Sequence, residues 1–371
     1  MSILFQKFSF GPIEIKNRFI RSATSENLCD KQGLPNRSMI KLYRDLAKNE
    51  LGMINTGVIR PEKSWFGPFN VPTLKNKSDL PAFRKLTDAV HEFGGKITAQ
   101  LTPYFSKDGK FLAPSSPLPG LPETEEQPIE ATLSDIETAI DIYGKLSSLV
   151  RSAGFDAVQL HAAHGYGLHQ FLSPFTNRRI DKYGGSAENR FRIIKEIRER
   201  ISQEAGDDFP VWIKFTTGDF LDGAMGIDDA VELANLAEKH GFFSIEPSCG
   251  SLIGDWKSRG PNDKAIWKEG FNLTRIAKIK HAVKIPVVAV GGFRRFEHIE
   301  KIIEDGKADL VAMSRPLLVE PDLIKRWRNG NLAPSICNTC NACFEYFWNI
   351  KPIRCPNNKK YWHYIHNENN D

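Results

Sequence analysis

Along the chain, short runs rich in Val, Ile and Phe alternate with longer stretches whose apolar residues recur at helical spacing. The runs predict strands at Phe19–Ala23, Met53–Val58, Lys96–Leu101, Asp156–His161, Val211–Phe215, Phe243–Pro247, Val287–Val290 and Asp309–Met313. Between them the spacing predicts helices over Met39–Lys48, Leu80–Phe93, Asp135–Ser152, Ala187–Glu204, Asp228–His240 and Leu273–His281. Ser186 stands where a helix cap belongs, and Gly94, Gly154 and Gly241 fall just past helix ends, where a left-handed residue is favoured. Strands separated by helices imply parallel pairing through right-handed crossovers, and eight such strands suffice to close a (β/α)8 TIM barrel. A doubly wound open sheet is the rival, weakened by the lack of an early GxGxxG. Phe5–Lys16, ahead of the first strand, reads as a hairpin over the barrel floor. The connections Ile59–Ser78 and Pro103–Thr132 are long and rich in Pro, Gly and aromatics; in a barrel they lie on the catalytic face.

Composition narrows the picture little further. A chain of 371 residues, 41% apolar, suits a single α/β barrel with insertions, over residues 1–334, followed by a cysteine-rich extension over 335–371 that is not an independent domain. A net charge of +5 drawn from residues of both signs is too mild for nucleic acid, and the basic end at Lys359 and Lys360 reads as solvated. No apolar run reaches the roughly 18–20 residues of a membrane helix. The N-terminus carries charges within its first apolar stretch and no cleavage pattern, so it is not read as a signal peptide, and a cytoplasmic location is expected. Four of the six cysteines crowd between Cys337 and Cys355, unlike a disulfide framework.

Three constellations carry chemistry. Gln159-Leu-His161-Ala-Ala-His164-Gly-Tyr166 begins at the end of the fourth strand, so its polar side chains emerge at the barrel mouth. Two imidazoles and a phenol offer hydrogen-bond donors and a proton donor, although a phenol with an ordinary pKa of about 10 needs help from neighbours. A structural histidine pair closing a loop is the alternative, and a zinc hydrolase a third, weakened by the lack of a third ligand nearby. Gly291-Gly292 after the seventh strand and Ser314-Arg315 after the eighth suit a phosphate, which glycines let backbone N–H groups approach and Arg315 can grip; an ordinary tight turn and a surface arginine would look the same. Lys214, a cation in an apolar strand, needs an electron-rich partner, either a reduced flavin or a carboxylate of the protein.

Together with Gln170-Phe-Leu-Ser-Pro174, Asn177-Arg-Arg-Ile-Asp-Lys-Tyr183-Gly-Gly-Ser-Ala-Glu-Asn-Arg190 and Ile15-Lys-Asn17-Arg18-Phe-Ile-Arg-Ser-Ala-Thr24, these segments resemble the Old Yellow Enzyme or NADH:flavin oxidoreductase family, from near residue 3 to about residue 355. The resemblance implies FMN across the barrel mouth. Ser22, Ala23 and Thr24 would touch the isoalloxazine, and Ser25 stands where the family places a Cys or Thr that tunes it. Gln100 would bond its pyrimidine part and Lys214 would stabilise negative charge near N1 and O2. Ser248, Gly291, Gly292, Ser314 and Arg315 would surround the ribityl chain and phosphate. His161, itself close to the flavin, and His164 match the pair that binds the activating oxygen of an unsaturated small-molecule substrate. Tyr166 matches the proton donor. The implied chemistry is ene-reduction fed by NAD(P)H, with amine dehydrogenation, or an electron-transfer subunit without its own substrate, as alternatives. A homo-oligomer is the expected assembly. Ser25, Ser314 in place of the usual glycine, and the Gln100-Leu-Thr-Pro-Tyr104 run depart from the pattern, so flavin tuning, phosphate contact and substrate pocket are expected to differ.

Cys337-x2-Cys340-x2-Cys343-x11-Cys355-Pro356 suits a [4Fe–4S] cluster; a four-thiolate zinc site and ligandless thiols are the other readings. The spacing resembles larger family members such as trimethylamine dehydrogenase and 2,4-dienoyl-CoA reductase, in which the cluster serves further C-terminal nucleotide-binding domains. Here such domains are expected to be absent, and an electron carrier or partner subunit to use the cluster instead.

Overall fold

The computed structural model describes residues 2–62, 69–102, 106–107, 110–119, 126–251 and 268–358. Tyr104, Lys359 and Lys360, and parts of both long connections, lie outside them. Eight parallel strands form one sheet: β1 Phe19–Arg21, β2 Met53–Ile59, β3 Lys96–Leu101, β4 Ala157–Ala162, β5 Val211–Thr216, β6 Ile245–Ser248, β7 Val288–Val290 and β8 Leu310–Met313. Their order around the sheet is β6-β5-β4-β3-β2-β1-β8-β7. A parallel bridge between Ile245 and Val287, with Ile245 N donating to the Pro286 carbonyl at 3.1 Å, joins the two edges. The sheet is therefore a (β/α)8 barrel, and the open doubly wound arrangement is excluded.

Each expected strand is present; Lys96–Leu101 has the expected bounds, and the others differ by one or two residues at one end or both. β1 stops at Arg21, yet Ser22 N still donates to the Met313 carbonyl at 3.0 Å, so the backbone turns away from the ladder only after that bond. β4 starts one residue late, at Ala157, although Asp156 still bonds the neighbouring strand, its N donating to the Ile97 carbonyl at 2.9 Å and its carboxylate accepting from Ile97 N at 2.8 Å. The expected helices form, Ser186 Oγ accepts from Asn189 N at 3.3 Å, and Gly94, Gly154 and Gly241 all have positive φ.

Below the barrel, Phe8–Phe10 pairs antiparallel with Ile13–Ile15. Alternation along this hairpin turns Phe10 fully inward, where its ring meets Trp212 edge-on at 5.4 Å and Phe243 at 4.9 Å. These rings and the strand-start residues Ile20, Met53, Ala157 and Leu310 make a plug separate from the main core between strands and helices. With the bottom sealed by apolar side chains, the polar ends of the strands are left to build a site at the top.

After β3 the chain forms a small sheet of Ser106–Lys107, Lys110–Ala113 and Ile129–Glu130. The cysteine-rich segment, with its short helix Cys343–Trp348, folds back over the mouth. Ile353 N donates to the Glu26 carbonyl at 2.8 Å, and Asn27 Nδ2 donates to the Phe347 and Lys351 carbonyls at 3.2 and 3.3 Å. Phe347 stacks on Phe69 with centroids 4.5 Å apart. No helix among the described residues is long and apolar enough to cross a membrane.

Candidate active site

Register decides what faces the barrel's upper interior. Gln100 on β3 pairs with Gln159 on β4, His161 on β4 with Lys214 on β5, and Lys214 with Glu246 on β6. One polar layer results, and all its members are buried. Gln100 Nε2 and Asn55 Nδ2 both donate to Gln159 Oε1, at 2.7 and 2.6 Å, and Gln159 Nε2 donates to Glu246 Oε2 at 2.8 Å. The other carboxylate oxygen accepts from Lys214 Nζ at 2.8 Å and Ser22 Oγ at 2.6 Å. Lys214 thus meets a protein carboxylate, one of its two expected partners, while its side chain still lines the open mouth. Glu246 escaped the sequence reading. Its signal was there: a lone carboxylate in the Phe243–Pro247 run, one strand after a lone cation.

At the top of this layer, His161 converges with His164 and Tyr166. The His161 ring lies 5.5 Å from that of His164 and 5.4 Å from that of Tyr166. The turn that aims them runs through His164 and Gly165, both with positive φ, and Tyr166 then caps the short helix Gly167–Leu172. His164 N donates to Thr216 Oγ1 at 2.9 Å, and its Nε2 meets Ser248 Oγ at 2.7 Å. Burial above all, with the nearby charge of Lys214, pushes the His161 pKa down to about 3, so the ring is neutral at physiological pH. Its Nδ1 is buried with no partner among the described residues, an atom waiting for a ligand.

Two adjoining cavities share Ala23, His164 and Lys214. One adds Ser25, Gln100, His161 and Tyr166, with Arg60 and the apolar walls Val58, Phe69, Val71 and Phe347. The other adds Ser22, Ser248, Gly291, Gly292, Ser314 and Arg315, together with Cys249. The structure brings together every expected flavin residue except Thr24, which lines neither cavity and instead bonds Ser314 Oγ at 2.7 Å, tying the ends of β1 and β8. Gly292 has φ +69°, and a Cβ there would meet nothing closer than 3.8 Å, so the cradle is open towards a ligand. Arg60, Phe69 and Val71 come from the Ile59–Ser78 connection expected on the catalytic face, though none was singled out; Phe347 comes from the far end of the chain and carries no local signal.

Cys337, Cys340, Cys343 and Cys355 line a third cavity of about 260 Å³. Among the described residues no three His, Cys, Asp or Glu side chains close in on the position of one metal ion. Arg315 borders this cavity as well as the phosphate cradle, with Nη1 donating to the Thr339 carbonyl at 3.2 Å and to Asn341 Oδ1.

The family model for the NADH:flavin oxidoreductase / NADH oxidase family matches residues 3–332. The chain belongs to that family. Its relatives include an NADH oxidase from Thermoanaerobacter brockii, 32% identical over 95% of this chain and 55% of the relative, and a cinnamate reductase from Clostridium sporogenes, 28% identical over 95% and 57%. A solved 2-naphthoyl-CoA reductase superposes with a TM-score of 0.85 at 25% identity, over 95% of this chain and 56% of that one. The chain spans about half the length of these relatives. The family implies FMN and NAD(P)H, and the partnerless His161 Nδ1, the open glycine cradle and the cation at Lys214 fit a flavin mononucleotide.

Proposed function

We propose that the protein is an FMN-dependent ene-reductase that takes reducing equivalents from NAD(P)H and saturates an activated C=C bond. The observation that carries this reading is the meeting of two imidazoles and a phenol over a cavity shared with Lys214 and Gln100. FMN bound across the mouth would supply hydride, first accepted from NAD(P)H and then given to the substrate. Lys214 and Gln100 hold the site's electron-accepting side, with the Lys214 charge positioned by Glu246. His161, kept neutral, and His164 donate to the substrate's carbonyl-type oxygen, stabilising the charge that builds there as Cβ is attacked. Tyr166 gives its proton to Cα. Anaerobic NADPH and NADH should bleach the flavin of the purified protein and 2-cyclohexenone should restore its colour. Tyr166→Phe should keep the bleaching and slow the recolouring by about 10²–10⁴-fold, the usual worth of a positioned proton donor. Bleaching without recolouring by any activated alkene would reject the reading.

We propose further that the four cysteines hold a [4Fe–4S] cluster that exchanges electrons with an external carrier or partner subunit. The reading is supported by the one cavity that all four thiols line, several times the roughly 30 Å³ occupied by one water. Iron and sulfide assayed after anaerobic purification should each approach four per chain. Protein that is yellow but free of iron would end it.

A further inference from the structure

Gln159 and Glu246 have no exposed surface and line neither mouth cavity, yet both stand directly behind side chains that do. The direction of the hydrogen bonds in their layer follows from that one buried carboxylate. Lys214 Nζ donates to Ser22 Oγ at 3.1 Å, so the Ser22 proton points to Glu246 Oε1, which also accepts from Lys214 Nζ at 2.8 Å. A carboxylate only accepts, so Oε2 needs a donor, and Gln159 meets it with Nε2 at 2.8 Å. The Gln159 amide is thereby turned one way. Its Oε1 points along the layer and accepts from Asn55 Nδ2 at 2.6 Å and Gln100 Nε2 at 2.7 Å. Thr98 Oγ1 holds Asn55 in the same sense by donating to Oδ1 at 2.9 Å.

Gln100, opposite Gln159 in register, inherits this polarity. Its Nε2 is held by Gln159, and Oε1, the other end of the amide, is left for the occupant of the cavity that Gln100 lines. Turning Gln100 round would set its Oε1 against that of Gln159. Turning Gln159 round as well would set a carbonyl against the Glu246 carboxylate, a pairing that burial makes costly. The pyrimidine edge of a flavin presents one donor, N3–H, between the acceptors O2 and O4, so an amide of fixed polarity recognises it where a freely turning one would not. We propose that Gln159 is a positioning residue for the flavin: anchored by Glu246, it turns the Gln100 amide so that Oε1 accepts from N3–H of the FMN ring. The proposal rests on the flavin reading of the site and is independent of the alkene chemistry.

The test reconstitutes apoprotein with FMN carrying 15N at N3, and reads the N3 resonance together with the Kd for FMN. In the wild type, N3 should resonate at the downfield position of a bonded N–H. Gln100→Leu should move it upfield and weaken FMN binding about tenfold, the worth of one buried hydrogen bond. Gln159→Met keeps the volume and leaves Gln100 in place, and should give the same upfield move with a similar loss. In the double variant the two losses should coincide at about tenfold, whereas independent losses would multiply to about a hundredfold. Glu246→Gln is isosteric and covers the case of a Gln159→Met that does not fold. Lys214 and Ser22 still need an acceptor, so the new amide turns its Nε2 to Gln159, the polarity reverses down the layer, and N3 should again move upfield. An N3 resonance left unmoved by either Gln159→Met or Glu246→Gln overturns the proposal, as do losses that multiply. Folded wild-type apoprotein that takes up no FMN would overturn the flavin reading beneath it as well.

Discussion

His169 shows how one buried side chain can govern the catalytic turn. Its Nδ1 accepts from Gly165 N at 2.8 Å, so the ring carries its proton on Nε2, which lies 3.1 Å from Asp219 Oδ1 in a contact bent away from ideal alignment. Asp219 also accepts from Ser173 Oγ at 3.0 Å and Met225 N at 3.3 Å. Burial raises its pKa, but His169 and these donors outweigh that and hold the carboxyl below its usual range. Gly165 lies between His164 and Tyr166, so His169→Phe should disturb both at once. We expect kcat to fall about 10²-fold, the effect of a misplacement of about 1 Å, with flavin content kept; kcat within twofold of wild type would show that the turn holds itself. His161 allows a prediction of the opposite kind. Because its folded pKa lies below that of a free histidine, the unfolded chain binds its proton first on acidification. Stability from the neutral ring is complete above about pH 6.5 and is lost towards pH 3, by up to about 1.4 kcal/mol per pH unit. His161→Asn should therefore flatten the acid-side fall in Tm. The grouping of these side chains was legible because His161, His164 and Tyr166 are neighbours in sequence; Glu246 and Phe347 were missed because only strand register and chain reversal bring them in.

At the level of elements, the strand pattern was read well and its ends less so. Apolar runs report where a strand is buried, whereas its last residue depends on which side chain or loop takes the next hydrogen bond. The hairpin under the barrel was legible for the same reason, since Phe8, Phe10, Ile13 and Ile15 alternate with polar positions. Its contribution can be measured. Phe10→Ala removes a ring with no exposed surface from the plug against Trp212 and Phe243. A loss of about 3–5 kcal/mol is expected in denaturant unfolding. The variant should leave the ratio of NADPH to NADH turnover unchanged, because the floor is at the other end of the strands; a shift in that ratio would mean that the barrel deforms as a whole.

Across the whole molecule, the cysteine-rich segment is part of the active-site wall. Cys343 opens the helix that carries Phe347, Phe347 stacks on Phe69, and both rings face His161, His164 and Tyr166 across one cavity. A second link runs through Arg315, which borders both the cysteine cavity and the phosphate cradle. A third is the Ile353 bond to the Glu26 carbonyl, whose side chain pairs with fully buried Arg21 at the end of β1. None of these contacts was legible beforehand, because each joins residues whose separation in sequence gives no periodic signal. They lead to a prediction that a merely appended tail would not satisfy. Phe347→Ala removes a wall without touching a cysteine, and should raise KM for 2-cyclohexenone about tenfold, the effect of about 1.4 kcal/mol, with iron content unaltered. Cys343→Ser loosens the start of the same helix and should raise that KM in the same direction while flavin remains bound. Wild-type KM in both variants would show that the segment only rests on the mouth, and that substrate is held by the barrel alone.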